Sequence, residues 1–377
     1  MDKEVLNEML PFMTESYGNA GAIYKLGRIA KEKIEIARQQ VADLIGAKPE
    51  QIIFTSGGTE SNNTVFASIS KILSKNKKSH IIVGATEHDS VLRPAKNVCE
   101  RIGCDISIIM PNKYGITEAS SVLNTIQRDT GFVSVMMVNN ETGAENPVED
   151  IGIICSAKDI LFHTDCVQAA GDKEIDVNKI GCDFLSLSSH KIHGPKGVGA
   201  LYVRDLSTIN PMICGGHSQE FGMRGGTENV PGIIGFGKAC EIASKTLNET
   251  SQYVSILKQL FYQELVNNFG ELSDVLHVNG TSVMHPGKTI NLTIDGVDAQ
   301  TLVLFLDAKG ICVSAGSACR SHESEPSHVL TAMGINERLS RQSIRVSFSR
   351  MNNREDAIAA AKEIAICSLA LKGSQLL

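Results

Sequence analysis

The chain reads as an α/β protein with a largely parallel sheet covered on both faces by helices, followed by a smaller α+β unit. Three observations predict this. Short, continuously apolar runs alternate with amphipathic stretches through the first two-thirds of the sequence, and runs without polar alternation are strands buried on both sides. The pattern changes character near residue 245. The 377 residues also exceed what one core usually serves. In order, strands are expected at 52–54, 81–83, 106–109, 133–138, 160–162 and 184–187, with helices between them at 60–73, 91–102 and 119–127. Two long helical patterns follow, 228–247 and 252–268. They lead to a strand at 289–294, a helix at 300–309, strands at 311–313 and 344–348, and a final amphipathic helix. That helix begins near Asn353, a good N-cap with Glu355 and Asp356 in the first turn. Two domains are therefore expected, 1–245 and 246–377.

Apolar residues at 42% and charged residues at 21% describe an ordinary globular chain. Net charge is −6, and the basic residues are scattered rather than striped, which argues against direct nucleic-acid binding. The acidic N-terminus lacks the apolar run of a signal peptide. No run of about 18 apolar residues suggests a membrane span. A cytoplasmic protein is expected. None of the ten cysteines forms a Cys-x-x-Cys pair. Cys99 with Cys104, and Cys312 with Cys319, lack metal-site spacing, so all ten read as thiols, most of them buried. His190 and His193 have no third ligand at a useful spacing, so no metal is expected.

Several segments carry candidate chemistry. Asp183-Phe-Leu-Ser-Leu-Ser-Ser-His-Lys191 ends an apolar strand at the mouth of a glycine-rich turn. A lysine partly desolvated there becomes a nucleophilic amine, of the kind that holds pyridoxal phosphate as a Schiff base. Phe54-Thr-Ser-Gly-Gly-Thr-Glu-Ser61 follows a strand and opens a helix. Its glycines, among them Gly58, let backbone N–H groups approach an anion, and Thr59 adds a hydroxyl. Asp165 in His163-Thr-Asp-Cys-Val-Gln168 and His88 in Thr86-Glu-His88 end two further strands, where open α/β sheets bind ligands. Arg345 lies on the strand face opposite Ile344, Val346 and Phe348, beside Ser343 and Ser347, and suits a bidentate grip on a carboxylate. Cys319 lies in a polar loop, with Arg320 and His322 to favour its thiolate. Each has a plainer account when taken alone: a solvated turn lysine, a capping turn, a capping aspartate, a loop histidine, a surface salt bridge, a loop cysteine.

Together the motifs say more. They are Thr55-Ser-Gly-Gly-Thr-Glu-Ser-Asn62, Thr86-Glu-His88, Val138-Asn-Asn-Glu-Thr-Gly143, Ser188-Ser-His-Lys-Ile-His-Gly-Pro-Lys-Gly197, Arg224-Gly-Gly-Thr-Glu-Asn229, Gly316-Ser-Ala-Cys319 and Glu325-Pro-Ser-His-Val-Leu330. In this order the chain resembles the pyridoxal-phosphate cysteine desulfurases, the NifS/IscS-like group with a mobile cysteine loop. The resemblance implies a fold-type I transferase with a seven-stranded, mostly parallel sheet in the large domain. It implies that Lys191 binds pyridoxal 5′-phosphate and removes the substrate α-proton. Gly58, Thr59, Ser188 and His190 would hold the phosphate, and Thr227 would reach the phosphate of the partner subunit, hence a homodimer. Asp165 would pair with the ring nitrogen, Gln168 contact the ring hydroxyl, and His88 stack on the ring as a candidate acid. Asn140 and Arg345 would hold the carboxylate of L-cysteine. Cys319 would take its sulfur as a persulfide, releasing L-alanine and passing sulfur to a separate acceptor protein. Such an acceptor could be a cluster scaffold of iron–sulfur assembly, or serve tRNA thiolation or DNA sulfur modification. The family usually opens with a strand and an Asp-x-x-Ala-Thr-Thr segment. This chain starts after it, so that wall is expected to be missing or supplied differently. Arg320 and Cys166 also depart from the family's usual residues. Alternatives are another fold-type I enzyme, such as a selenocysteine lyase or aminotransferase, or a weakly active dimeric sulfur-transfer scaffold.

Overall fold

A computed structural model describes residues 1–216, 219–316 and 326–374. It has two compact units. One comprises residues 1–109, 117–138 and 146–247; the other comprises 110–116, 139–145 and the chain from Asn248 onward. A single boundary at 245 therefore omits two short excursions, 110–116 and 139–145, which belong to the second unit.

The first unit is built on a seven-stranded sheet. Its strands are β1 (Ile52–Thr55), β2 (His80–Gly84), β3 (Asp105–Ile109), β4 (Thr130–Ser134), β5 (Leu161–Asp165), β6 (Phe184–Ser188) and β7 (Gly199–Val203), in the order β1-β7-β6-β5-β4-β2-β3. From β6 to β3 all neighbours are parallel, and β7 alone runs antiparallel to both of its neighbours. Side chains alternate between two cores. Phe54, Phe162, Leu185 and Leu187 face one way; Ile53, Phe132, Phe184 and Leu201 face the other. Helices α3 (Gly58–Ala67), α4 (Ile69–Asn76) and α5 (Asp89–Ile102) cover the second face. The first is covered by α1 (Lys3–Met13), α2 (Lys25–Leu44), α6 (Ala119–Thr125), α7 (Val148–Ala157), α8 (Val177–Ile180) and the start of α9 (Val230–Phe269). The largely parallel sheet covered on both faces is the architecture that the apolar runs predict.

The second unit carries an antiparallel sheet, β10 (Ser314–Ala315), β11 (Ser343–Ser347), β9 (Thr289–Ile294) and β8 (Leu276–Asn279) in that order. Leu292, Ile344 and Val346 of this sheet pack with Phe261 and Leu265 of α9. Leu302 and Leu306 of α10 (Ala299–Asp307) and Ala357, Ala361 and Ile364 of α13 (Arg354–Ser374) complete the core. Two short helices, α11 (His328–Ala332) and α12 (Glu337–Ser340), lie between β10 and β11 in the chain. No helix of the described residues is long and apolar enough to cross a membrane.

The strand expected at 133–138 forms earlier, as β4 over Thr130–Ser134; three further elements differ for identifiable reasons. The helix expected at 60–73 breaks at Ser68, whose buried hydroxyl donates to Thr64 O and accepts from Asn210 N at 2.9 Å. The patterns at 228–247 and 252–268 form one 40-residue helix. The polar residues between them contain neither glycine nor proline and only mimicked a stop. The strand expected at 311–313 begins instead at Ser314. Gly310, at φ 77°, terminates α10, and Ile311 N donates back to Leu306 O at 2.9 Å, which makes Ile311 the apolar residue of a helix stop.

The cysteine reading also needs correction. Cys99, in the last turn of α5, and Cys104, just before β3, are joined as a disulfide rather than being two thiols. Cys155, Cys166, Cys182, Cys240 and Cys367 are buried thiols, while Cys214 and Cys312 are exposed. Cys319, Arg320 and His322 lie outside the described residues.

Candidate active site

The carboxyl edge of the first sheet gathers most of the singled-out residues. After β1 the chain turns through Gly57, whose φ of 152° is open to glycine and rarely to other residues. A Cβ there would stand 3.6 Å from Ser188 Oγ, so the bare backbone leaves a hollow beside that hydroxyl. At Gly58 a Cβ would come within 2.6 Å of Val167 Cγ2, so the start of α3 lies against the turn after β5. Glu60 fastens this loop: its Oε2 accepts from Ser56 N at 2.8 Å and its Oε1 from Arg224 Nε at 3.0 Å. Burial raises the Glu60 carboxyl, but the bonds from Arg224 and Ser56 outweigh it and leave it below its ordinary value. Glu60 and Arg224 thus explain parts of two motifs that the sequence reading left unassigned. Thr59 is exposed in the first turn of α3. Ser188 ends β6, with its Oγ 2.9 Å from His190 Nδ1. Burial lowers the His190 pKa, as do the charges of Lys191 and Lys196, so the ring favours its neutral form.

Asp165 ends β5 and is nearly enclosed at 5% exposure. Its Oδ1 accepts from Val167 N at 2.9 Å, and its Oδ2 from Asn62 Nδ2 at 2.8 Å. The Asn62 amide nitrogen also donates to Ser90 Oγ at 2.9 Å, and Ser90 Oγ lies 2.7 Å from Nδ1 of half-buried His88. His88 is the N-cap of α5, and its Nδ1 accepts from Ser90 N at 3.1 Å. A continuous hydrogen-bonded chain thus runs from Asp165 to His88. Beside it, Glu87 is fully buried, its Oε1 accepting from Met136 N at 2.6 Å. Desolvation, with the nearby Asp165, drives the Glu87 carboxyl well above its ordinary value, so its enclosure favours the protonated acid. His163, fully buried between Ser134 and Ser186, is pushed down to about 3 by burial and belongs to the core as a neutral ring. Gln168 is half-buried in the turn after Asp165.

Lys191 stands exposed in the 3-10 turn Ser189–Ile192 that follows β6. The desolvation expected for it is not supplied by the packing of the chain itself. Thr227 is exposed in the loop between Arg224 and Asn229.

The second unit pairs the two residues expected to grip a carboxylate. Arg345, on β11, donates from Nη1 to Asn140 O at 3.0 Å and from Nη2 to Ser314 Oγ at 3.1 Å. The turn carrying Asn140 is fixed locally. Asn139 Oδ1 accepts from Glu141 N and Thr142 N, both at 2.9 Å, and Glu141 Oε2 accepts from Ser327 Oγ at 2.6 Å. Arg345 therefore sits as a half-buried guanidinium that donates to two neutral oxygens.

Comparison with known proteins extends these observations. The family model described as Aminotransferase class-V matches residues 1–359. A protein named Cysteine desulfurase IscS from Methanosarcina thermophila is 42% identical over 354 residues, spanning 94% of this chain and 86% of that relative. A solved structure described as a NifS-like protein matches with a TM-score of 0.86 at 33% identity, covering 97% of this chain and 95% of its own. Another, described as SspA in complex with cysteine, matches with a TM-score of 0.79 at 34% identity, covering 93% and 96%.

Proposed function

Because the chain belongs to the class-V aminotransferases and, within them, to the cysteine desulfurase family, we propose that it converts L-cysteine to L-alanine with pyridoxal 5′-phosphate as cofactor and Cys319 as the sulfur-accepting thiol. The observation that carries the cofactor is the environment of Asp165. It is a carboxylate nearly closed off from water, oriented by Asn62 and the Val167 N–H, at a sheet edge shared with Ser188. Such a group suits a protonated ring nitrogen, and a neutral donor in its place would not. The hollow at Gly57 beside Ser188 Oγ, at the N-terminus of α3, suits phosphate oxygens. The residues fit the group. Gly58, Thr59, Ser188 and His190 would hold its phosphate, Gln168 would meet its ring hydroxyl, and Lys191 would bind its aldehyde carbon.

Bound there, pyridoxal phosphate supplies an electron sink conjugated to the substrate amine. The residues of the chain do the rest. Asn140 and Arg345 grip the substrate carboxylate. The Lys191 amine removes the α-proton. The Cys319 thiolate bonds to the substrate sulfur as the Cβ–S bond breaks, and the electron pair stays with the carbon fragment. His88 protonates the carbon that lost sulfur, Lys191 returns its proton to the α-carbon, alanine leaves, and the sulfur remains on Cys319 as a persulfide. The unit of residues 1–109, 117–138 and 146–247 acts as the cofactor domain, and the unit that includes the chain from Asn248 onward bears the cysteine loop. A cytoplasmic homodimer, with Thr227 reaching the phosphate held by the partner subunit, passes the persulfide to an acceptor such as a cluster scaffold.

Incubation of the cofactor-loaded protein with L-cysteine tests this. Alanine and protein persulfide should rise together, and Cys319→Ser should keep the cofactor while forming no persulfide. A keto acid product, or undiminished persulfide in Cys319→Ser, overturns the proposal.

A further inference from the structure

The hydrogen-bonded chain between Asp165 and His88 has a direction that its donors fix. Asn62 is fully buried, and its Nδ2 lies 2.8 Å from Asp165 Oδ2. Flipping the amide would set its carbonyl oxygen against a carboxylate oxygen at that distance, so the nitrogen faces Asp165. The same nitrogen donates its second proton to Ser90 Oγ at 2.9 Å. With that lone pair taken, the Ser90 hydroxyl proton is free to turn toward His88 Nδ1, 2.7 Å away. Ser90 N–H points at the same ring nitrogen from 3.1 Å, and a backbone amide can only donate. A proton on Nδ1 would confront two donors, so in the neutral ring the proton resides on Nε2.

We propose that Asn62 is a positioning residue that sets both groups at once: it holds Asp165 as an acceptor and, through Ser90, fixes His88 in the tautomer bearing its proton on Nε2. This leaves Nε2–H as the hydrogen that His88 offers. The catalytic meaning rests on the reading of His88 as the acid of the proposed reaction, while the tautomer itself does not. A carboxylate at position 62 could serve neither partner in this way, because it would repel Asp165 and donate nothing to Ser90.

The test uses the full-length, cofactor-loaded protein with 15N-labelled histidine in alkaline buffer. The His88 ring should show Nδ1 at an unprotonated position and Nε2 at a protonated one. In Asn62→Leu, which has a similar volume and no donor, the Ser90 hydroxyl is released and the two lines should draw toward each other. Ser90→Ala, a mild change in the first turn of a helix, should do the same, and Ser90→Thr should restore the wild-type positions. In Asn62→Leu and Ser90→Ala, kcat for alanine should fall about tenfold, the scale of one buried hydrogen bond, with a smaller change in KM. A wild-type ring with its proton on Nδ1 overturns the proposal, as do unmoved lines in folded Asn62→Leu and Ser90→Ala. If the lines shift while kcat holds, the tautomer assignment stands and His88 loses its role as the acid.

Discussion

Glu87 illustrates how much one side chain depends on its enclosure. Its carboxyl has no exposure, and it is pushed far up by desolvation and by Asp165 despite the bond from Met136 N. A raised acid binds its proton more tightly in the folded chain than in the unfolded one. Folding is therefore unpenalised below the ordinary glutamate range, and stability declines as pH rises from there toward the folded value. Glu87→Gln imitates the protonated acid and keeps Oε1 as the acceptor for Met136 N. Urea midpoints for the two proteins should coincide in acid, and the variant should pull ahead as pH approaches neutrality. A constant gap across that range would mean that Glu87 is ionised in the fold. Gly57 makes a second case at this scale. Gly57→Ala forces an L side chain into φ 152° and fills the hollow beside Ser188 Oγ. Phosphate-dependent retention of the cofactor should weaken at least about fivefold, since strain of this kind costs about 1–3 kcal/mol, and equilibrium dialysis would read it.

At the scale of elements, close approaches decide what each helix tolerates. Gly152, in α7, faces the end of α8 so tightly that a Cβ would lie 1.7 Å from Ile180 O. Backbone cannot yield as a side chain tip does. Gly152→Ala should lower stability by about 3 kcal/mol or more, seen as a clear drop in the thermal midpoint. A midpoint within error of the wild type would show that α7 and α8 can part without cost.

Contacts of this sort also mark what the sequence left illegible. The strands β1, β2, β3, β5 and β6 were readable because each carries a short apolar run between helical or turn segments, and Lys191, Asp165 and His88 because they stand at or just past the ends of such runs. Asn62, Ser90 and Glu60 were not. Asn62 meets Ser90 across 28 residues and Asp165 across 103, and Glu60 meets Arg224 across 164. No local pattern encodes those pairings. β7 was hidden because it begins at Gly199, within a glycine-rich turn, and β8 because His277 interrupts a four-residue strand.

Taken whole, the chain keeps separate apolar interiors. Phe162 and Leu292 are both fully buried, the first in a core of the seven-stranded sheet and the second in the core of the four-stranded sheet. Phe162→Ala and Leu292→Ala should each cost about 2–5 kcal/mol. Hydrogen exchange should localise the loss. Amides of β4 to β6 should lose protection in the first variant, and those of β8, β9 and β11 in the second. Identical exchange maps for the two variants would show one cooperative unit instead.

The reversed strand β7 has a last consequence. Ser188 of β6 and Gly199 of β7 face each other on one ladder, so the segment bearing Lys191 leaves and rejoins the sheet at the same rung. Had β7 run parallel, the chain would have needed a long crossover to return, and the lysine would hang from a connection free to vary in length. Here the segment is buckled shut by its own two strands. Its residue count is fixed by the register, and lengthening it would shift the amine against the neighbouring strand ends.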